Sequence, residues 1–583
     1  MELQIIKTKS YAKKETCKQE SLFTVNNDTL VKCTLNGQKT VTIPEGIKTI
    51  GRKCFAETNI EEIILPEGIE VIDAEAFACC IKLRKINFPE TLNVIECGAF
   101  RACSFLETVT LPKKMKELNY DAFYGAGIKH LTLPEKVSLG TGVEVFAGTD
   151  IETIDIPEDF TLSPAMFAGC RKLRSVNLKG SGITIPERCF RDCTNLTEID
   201  ITRAAFIKDE AFRKCHSLSV STIPANTLVS VSAFSESGVT DVVIEDISKV
   251  CNRVFTDCKS LKKLTINVID GPTSVSSALV KGCENLQTVV FTGRVQNLQV
   301  IEAAAFKGTE RLKTISLPDA VKTISKEAFF GSGVETICLP KNLKQIGTIA
   351  FAESGLKDIV IPDKVKKLGE NVFRDCKNLT EVTLPESVTK IPLGTFNGCN
   401  SLKTVNAPNV DIVCEDAFYD CKNLETFDFS KLQSVELAAF AYTGIREAVF
   451  SDKLVNLGAE IFFSCKKLQT VDMSACKIQK IPYQCFCYCE ELKDAQLPQN
   501  ITSFDHGCFV RTKLNKLTIN AGTYVDDNAF VKASVDELVF TDDNNSLVKT
   551  AVHPLAFEDT SIGKLVIPDH MYDRFKDAID KMQ

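Results

Sequence analysis

Twenty-five cysteines in 583 residues are the side chains of this chain best suited to chemistry. Thiolates bind soft metals, pair into disulfides or act as nucleophiles, and their spacing decides among these roles. Cys485-Phe-Cys487-Tyr-Cys489 has the density of a metal cluster, and Cys215-His216 places an imidazole beside a thiol. Zinc requires four converging ligands, whereas the chain has no Cys-x-x-Cys pair and only five scattered histidines, His130, His216, His506, His553 and His570. No phosphate-binding loop, Gly-x-Ser-x-Gly elbow or His-Glu-x-x-His motif occurs either. The expectation is therefore no catalytic residue, no metal ligand and no bound cofactor, and a packing role for the thiols.

The elements that position those cysteines explain their number. Phenylalanine recurs at 55, 77, 100, 123, 146, 167, 190, 212, 234 and 255, then at 306, 329, 351, 373, 396, 418, 440, 462, 486, 509, 530 and 557, with Val280 in the slot between the runs. Phe55 to Phe557 spans 22 steps in 502 residues, a mean of about 22.8. Twelve coils carry Cys three residues after the Phe slot and Leu three further on: Cys80, Cys103, Cys170, Cys193, Cys215, Cys258, Cys283, Cys376, Cys399, Cys421, Cys465 and Cys489. Cys485 falls instead in the column before Phe, with Cys54, Cys189 and Cys508, and Cys487 shares a column with Cys79, so the apparent cluster dissolves into separate columns.

After the Leu comes a short alternating strand that ends in proline, as in Leu83-Arg-Lys-Ile86-Asn-Phe88-Pro89 and Leu379-Thr-Glu-Val382-Thr-Leu384-Pro385. Residues two apart share a face, so Ile or Val points inward with the following Leu while their neighbours point out. Proline cannot donate to a ladder, and the strand stops. A second apolar pair follows, such as Val321 and Ile324, and a turn leads to Ala-Phe. One coil cannot bury this inward face alone; stacking supplies the core.

The pattern Leu-x-x-Ile-x-Leu-Pro followed by Val-x-x-Ile-Gly-x-x-Ala-Phe-x-x-Cys resembles the BspA-type (Treponema-type) leucine-rich repeat family, and the coil from Ile43 through Gly51 to Phe55 matches it closely. The resemblance covers residues 23 to 568. It implies a right-handed leucine-rich-repeat solenoid of about 23 coils, with a parallel β-sheet on one face and short strands and helical turns on the other. It also implies a binding or adhesion role at a cell surface or in secreted form.

Arrays need polar ends. Residues 1–40 are expected to be a tail and capping hairpin, Phe23 to Val31 alternating around Asn-Asn-Asp. Residues 41–568 form the array and 569–583 a capping helix, with Asp569 as its cap and Met571, Phe575, Ile579 and Met582 on one face. Coil spacing lengthens within 266–305, at Gly271-Pro272-Thr-Ser, and before Phe557, at Thr541-Asp-Asp-Asn-Asn-Ser546. The first irregularity marks either a neutral insertion or a bend between residues 41–258 and 283–557.

Sixty-nine basic residues against 76 acidic ones give a formal charge of −7, which excludes a field that gathers nucleic acid. No stretch of 18 apolar residues exists to cross a membrane, and the first residues, MELQIIKTKSYAKKETCKQE, lack the apolar run of a secretory signal. Read as written the chain is cytoplasmic, and a ladder of equivalent thiols suits a reducing setting.

The outward strand positions are small and polar: Thr153 and Asp155, Ser175 and Asn177, Glu198 and Asp200, Thr404 and Asn406, Thr426 and Asp428, Thr470 and Asp472. About 23 coils at about 4.8 Å spacing make a face on the order of 110 Å long. That suits a protein or polysaccharide partner, or self-association, rather than a small ligand. The same residues also serve simply to solvate an exposed strand. The reading is a non-enzymatic macromolecule-binding scaffold; its alternatives are a self-associating layer protein and a solenoid enzyme acting on carbohydrate.

Overall fold

The computed structural model describes residues 4–6, 22–139, 142–271, 273–543 and 546–582. Pro272, Asn544, Asn545, Cys17 and most of the N-terminal tail lie outside the described residues. The molecule is a parallel β-solenoid of about 23 turns. Its chain divides into two compact units, residues 1–269 with 278–293, and 270–277 with 294–583.

The first unit opens on an antiparallel hairpin, Leu22–Asn26 with Thr29–Thr34, whose turn uses Asn27 at φ 56°. Thr29–Thr34 then pairs in parallel with Thr49–Ile50, so the hairpin joins the stack through one of its own strands. From there each coil contributes to two parallel ladders. The first carries the strands that follow the Leu column, such as Thr153–Ile156, which ends at Pro157, and Ser175–Leu178 and Glu198–Ile199, which end without proline. The second carries two-residue strands such as Val71–Ile72 and Val94–Ile95. Inside, Phe55 through Phe255 stack face to face with centroids 5.0 to 5.8 Å apart. All ten rings are fully buried, and each contributes about 2–3 kcal/mol of apolar transfer.

The second unit repeats this plan from Phe306 to Phe557, with successive centroids 5.0 to 6.0 Å apart. It ends on short helical turns, Asp569–Tyr572, Asp573–Phe575 and Lys576–Ile579. Met571, Phe575 and Ala578 are buried against the last coil, while Ile579 and Met582 are half-buried. Pro568 takes the N-cap position and Asp569 the first turn, where its negative charge meets the helix N-terminus.

A third ladder runs through the Ala-Phe turn. The N–H of the residue two before Phe, of Phe itself and of the residue two after it donate to carbonyls of the following coil. At Phe55 these are Lys53 to Ala74 at 3.3 Å, Phe55 to Ala76 at 2.8 Å and Glu57 to Ala78 at 2.8 Å. To aim alternate N–H groups along the stack, the outer two residues adopt left-handed backbone: Lys53 φ 57°, Glu57 φ 60°, Glu75 φ 56°, Cys79 φ 57°. For a non-glycine residue this costs about 1 kcal/mol, and the ladder bonds on either side hold it in place.

Candidate binding surface

The strand face places the outward residues in register. Thr153, Ser175 and Glu198 stand side by side, as do Asp155 and Asn177. Thr404 and Asn406 pair with Glu381 and Thr383, and Thr470 and Asp472 stand between Glu447 and Val449 and Asp494 and Gln496. Ser175, Thr470 and Asp472 are half-buried, and the other nine are exposed. Thr426 and Asp428 belong to a coil without a regular strand.

The carboxylates among them already have partners. In several coils that lack the strand-ending proline, an aspartate closes the turn in its place. Asp200 Oδ1 accepts from the Thr202 N–H at 3.1 Å and its hydroxyl at 2.5 Å. Asp428 does the same with Ser430 at 3.0 and 2.6 Å, and Asp472 with Ser474 at 2.9 and 2.7 Å. Asp155 instead accepts from Asn177 Nδ2 at 3.0 Å and lies 3.6 Å from Lys179. Asp155 and Asp200 are thus held separately, each by its own neighbours. The Asp-x-Ser/Thr triplet after a strand without proline is the signal that reveals the turn role in the sequence.

Two open depressions on this face were not anticipated from the repeat columns. One, about 810 Å³, is lined in part by Ile64, Lys85, Asn87, Phe105 and Thr108, and Arg84 lies 4.9 Å over the exposed Phe105 ring. The other, about 670 Å³, is lined in part by Asp494, Gln496, Lys516, Thr518 and Asn520. None of the twelve strand-face residues lines either one.

The thiols are a different matter from a surface. All 24 cysteines among the described residues are free, and all but Cys79, Cys97, Cys251 and Cys338 are buried. In each of the twelve ladder coils the Sγ–H donates to the Phe carbonyl of the preceding coil, at 2.9 to 3.2 Å. Coils one residue shorter place a hydroxyl there, and Thr149, Thr443 and Thr512 donate to their own Phe carbonyl at 2.8 Å. Burial pushes the Cys170 thiol up to about 11 and that of Cys376 to about 12, so these groups stay protonated and serve as donors. Cys215 is one of them, inside the coil, while the adjacent His216 is exposed.

One carboxylate cluster has metal-ligating residue types: Asp542, Asp543 and His570 bring oxygen and nitrogen atoms within 4.8 Å of one another. Its centre is occupied by protein. The Asp543 side chain, closed off from solvent, accepts from His570 Nε2 at 3.0 Å, Arg574 Nη2 at 2.6 Å and the Thr550 N–H at 3.0 Å. Burial raises the Asp543 carboxyl, but the bonds from His570 and Arg574 outweigh it and hold it near 2. A cation here would have to displace the Arg574 guanidinium, which ties the capping helices to the last insert. Asn544 and Asn545 of that insert lie outside the described residues.

The sequence profile of the BspA type leucine rich repeat region, a unit of six copies, matches residues 24–143, 141–262, 227–355, 299–425 and 411–537. The chain belongs to the BspA-type leucine-rich-repeat family. Among solved structures, a leucine-rich repeat protein from Bacteroides ovatus is 19% identical over 85% of this chain and 97% of its own, with a TM-score of 0.30. A Treponema pallidum leucine rich repeat protein is 29% identical over 27% of this chain and 77% of its own, TM-score 0.25. A leucine rich cell surface protein from Faecalibacterium prausnitzii is 16% identical over 92% of this chain and 96% of its own, TM-score 0.23. No curated protein matches the chain. Members of this BspA-type family are repeat scaffolds, and among the described residues of this one no helix is long and apolar enough to cross a membrane.

Proposed function

We propose that this BspA-type chain is a non-enzymatic scaffold that binds another protein along its strand face. The observation that carries the reading is the parallel ladder itself, which holds outward side chains at fixed spacing and opens into two depressions with exposed Phe105 and Arg84 at one and amides at the other. Exposed aromatic and arginine side chains on a rigid surface are the usual anchors of protein recognition. The twelve strand-face positions, Thr153 to Asp472, supply the polar surroundings. Residues 41–568 are the binding array in this reading, with 1–40 and 569–583 closing its ends.

The test is site-specific photo-crosslinking in host extract, with the photoreactive residue placed at Phe105, Asn177, Asn406 or Thr518, and at second-ladder positions such as Val94 and Gln345. A discrete partner captured only from the first set is the expected result. Even capture from both sets, or substrate turnover by the purified chain that depends on one residue cluster, overturns the reading. The setting is tested by the thiols: free cysteines in freshly isolated protein fit a reducing compartment, and paired ones fit an oxidising exterior.

A further inference from the structure

In the second unit, half-exposed aromatic side chains run along the turn ladder, away from the strand face. Tyr419, Tyr442, Phe463 and Tyr488 come from four successive coils, with centroids 5.2, 5.5 and 5.8 Å apart and rings inclined by 60°, 59° and 69°. Arg511 of the next coil closes the row, its guanidinium 5.5 Å over the Tyr488 ring. The coil of Tyr488 also carries Tyr483, exposed and stacked on His506 of the next coil at 5.6 Å. Four of the chain's nine tyrosines therefore lie within four coils.

Folding alone does not explain these residues. Tyr442 and Tyr488 stand at φ 60° and 63°, in a column filled elsewhere by glycine, as at Gly148 and Gly331, or by small and charged residues, as at Ala102, Asp192 and Lys214, and by an aromatic residue only here. Left-handed backbone disfavours a bulky side chain, so the fold itself has no use for tyrosine there.

Charge says what the row fits. Glu415, Asp416 and Glu460 lie half-buried on the same ladder and form no ion pair among the described residues. Three carboxylates elsewhere in the Asp416 and Glu460 column are neutralised, Glu75 by Arg52 and Lys53, Glu210 by Arg188, Arg191 and Arg213, and Glu327 by Lys307, whereas Glu144 forms no ion pair among the described residues either. Burial and the nearby Glu415 and Glu460 charges hold the Asp416 carboxyl above the ordinary range, against the pull of Arg374. Negative charge without a counter-charge, beside aromatic faces, attracts cations. Arg511 over Tyr488 shows a guanidinium already bound at one end. The inclined rings present no flat platform for a sugar.

We propose that the Tyr419–Tyr488 row with Asp416 and Glu460 is a docking surface for an extended, arginine- or lysine-rich segment of a partner protein. This surface lies off the strand face and does not rest on the strand-face reading.

The probe is a fluorescein-labelled ten-residue peptide of alternating arginine and glycine, with a glutamate-for-arginine counterpart, followed by anisotropy on the full chain at low and physiological salt. The wild-type protein is expected to bind the arginine peptide and not its counterpart. Tyr442→Gly with Tyr488→Gly should weaken binding about tenfold; glycine suits the backbone there, and circular dichroism checks the fold. Asp416→Asn with Glu460→Gln should weaken it at least as much, and carries the test alone if the glycine variant does not fold. Glu381→Gln with Glu447→Gln removes equal charge from the strand face, outside the twelve positions, and should leave binding unchanged. The proposal falls if the wild type does not distinguish the two peptides, or if the strand-face variant loses as much affinity as the turn-face one. It also falls if cellohexaose, and not the arginine peptide, binds in a tyrosine-dependent way.

Discussion

A cysteine in this solenoid is a hydrogen-bond donor that happens to be made of sulfur. Each ladder thiol adds a second hydrogen bond to a phenylalanine carbonyl that already accepts the N–H three residues further on, and such an added bond contributes about 0.5–1.5 kcal/mol. The protonated form is the one that donates, which fixes the direction of the pH effect. With Cys376 raised from 9.0 to about 12 and Cys170 to about 11, their contribution is complete below the unfolded value. It declines as pH rises above 9 towards the folded values. Thermal melts should therefore be level between neutral pH and 9 and fall above it, with Cys376→Ala showing a shallower alkaline decline. Thiol titration of the native chain should reach Cys79, Cys251 and Cys338 first, and the ladder only in denaturant. Ile349, a β-branched residue at φ 49°, is the opposite case, a side chain that strains its own backbone. Ile349→Asn should raise the unfolding free energy by about 0.5–1 kcal/mol, read from urea titration.

At the scale of the element, the strands were legible and the turns were not. Alternation and a terminal proline identify Lys85–Ile86 or Glu381–Thr383 directly. The paired left-handed residues of the third ladder leave no glycine or asparagine signature, because lysine, glutamate, alanine and arginine fill them as readily; stacking overrides local preference. The aromatic row escaped for a related reason. Tyr419 and Phe463 follow their Phe by one residue and Tyr442 and Tyr488 by two, so no single column contains them. The glycine of the shorter coils carries a clearer message. A Cβ on Gly333 would lie 1.7 Å from the Glu310 carbonyl oxygen, and one on Gly127 would lie 2.0 Å from that of Ser104. Gly333→Ala should cost about 2–4 kcal/mol in urea unfolding and speed amide exchange in the two coils it joins. The C-terminal closure makes a separate prediction. Asp543, held near 2, stabilises the cap above the ordinary carboxylate range, and that support is lost as pH falls towards 2. Asp543→Asn should expose residues 569–582 to proteolysis at neutral pH while the Phe-centred coils stay protected.

Across the molecule, contacts reach from one coil to the next and stability accumulates as nearest-neighbour terms. Removing one whole coil, residues 352–373, brings Phe351 against Arg374 in the register of the next turn and should preserve the circular dichroism spectrum and a cooperative melt. Removing residues 352–362 breaks all three ladders and should leave the second unit unfolded. The dispersal of function follows the same logic, since a surface built coil by coil has no single centre to read from the sequence.

The left-handed columns of the turn ladder, two per coil, have a further consequence. Their backbone is set by the neighbours above and below, and their side chains are not consulted by the core. They amount to a pegboard on which chemistry can be rewritten one peg at a time, so descendants of this chain, natural or engineered, can exchange what they recognise while keeping the board.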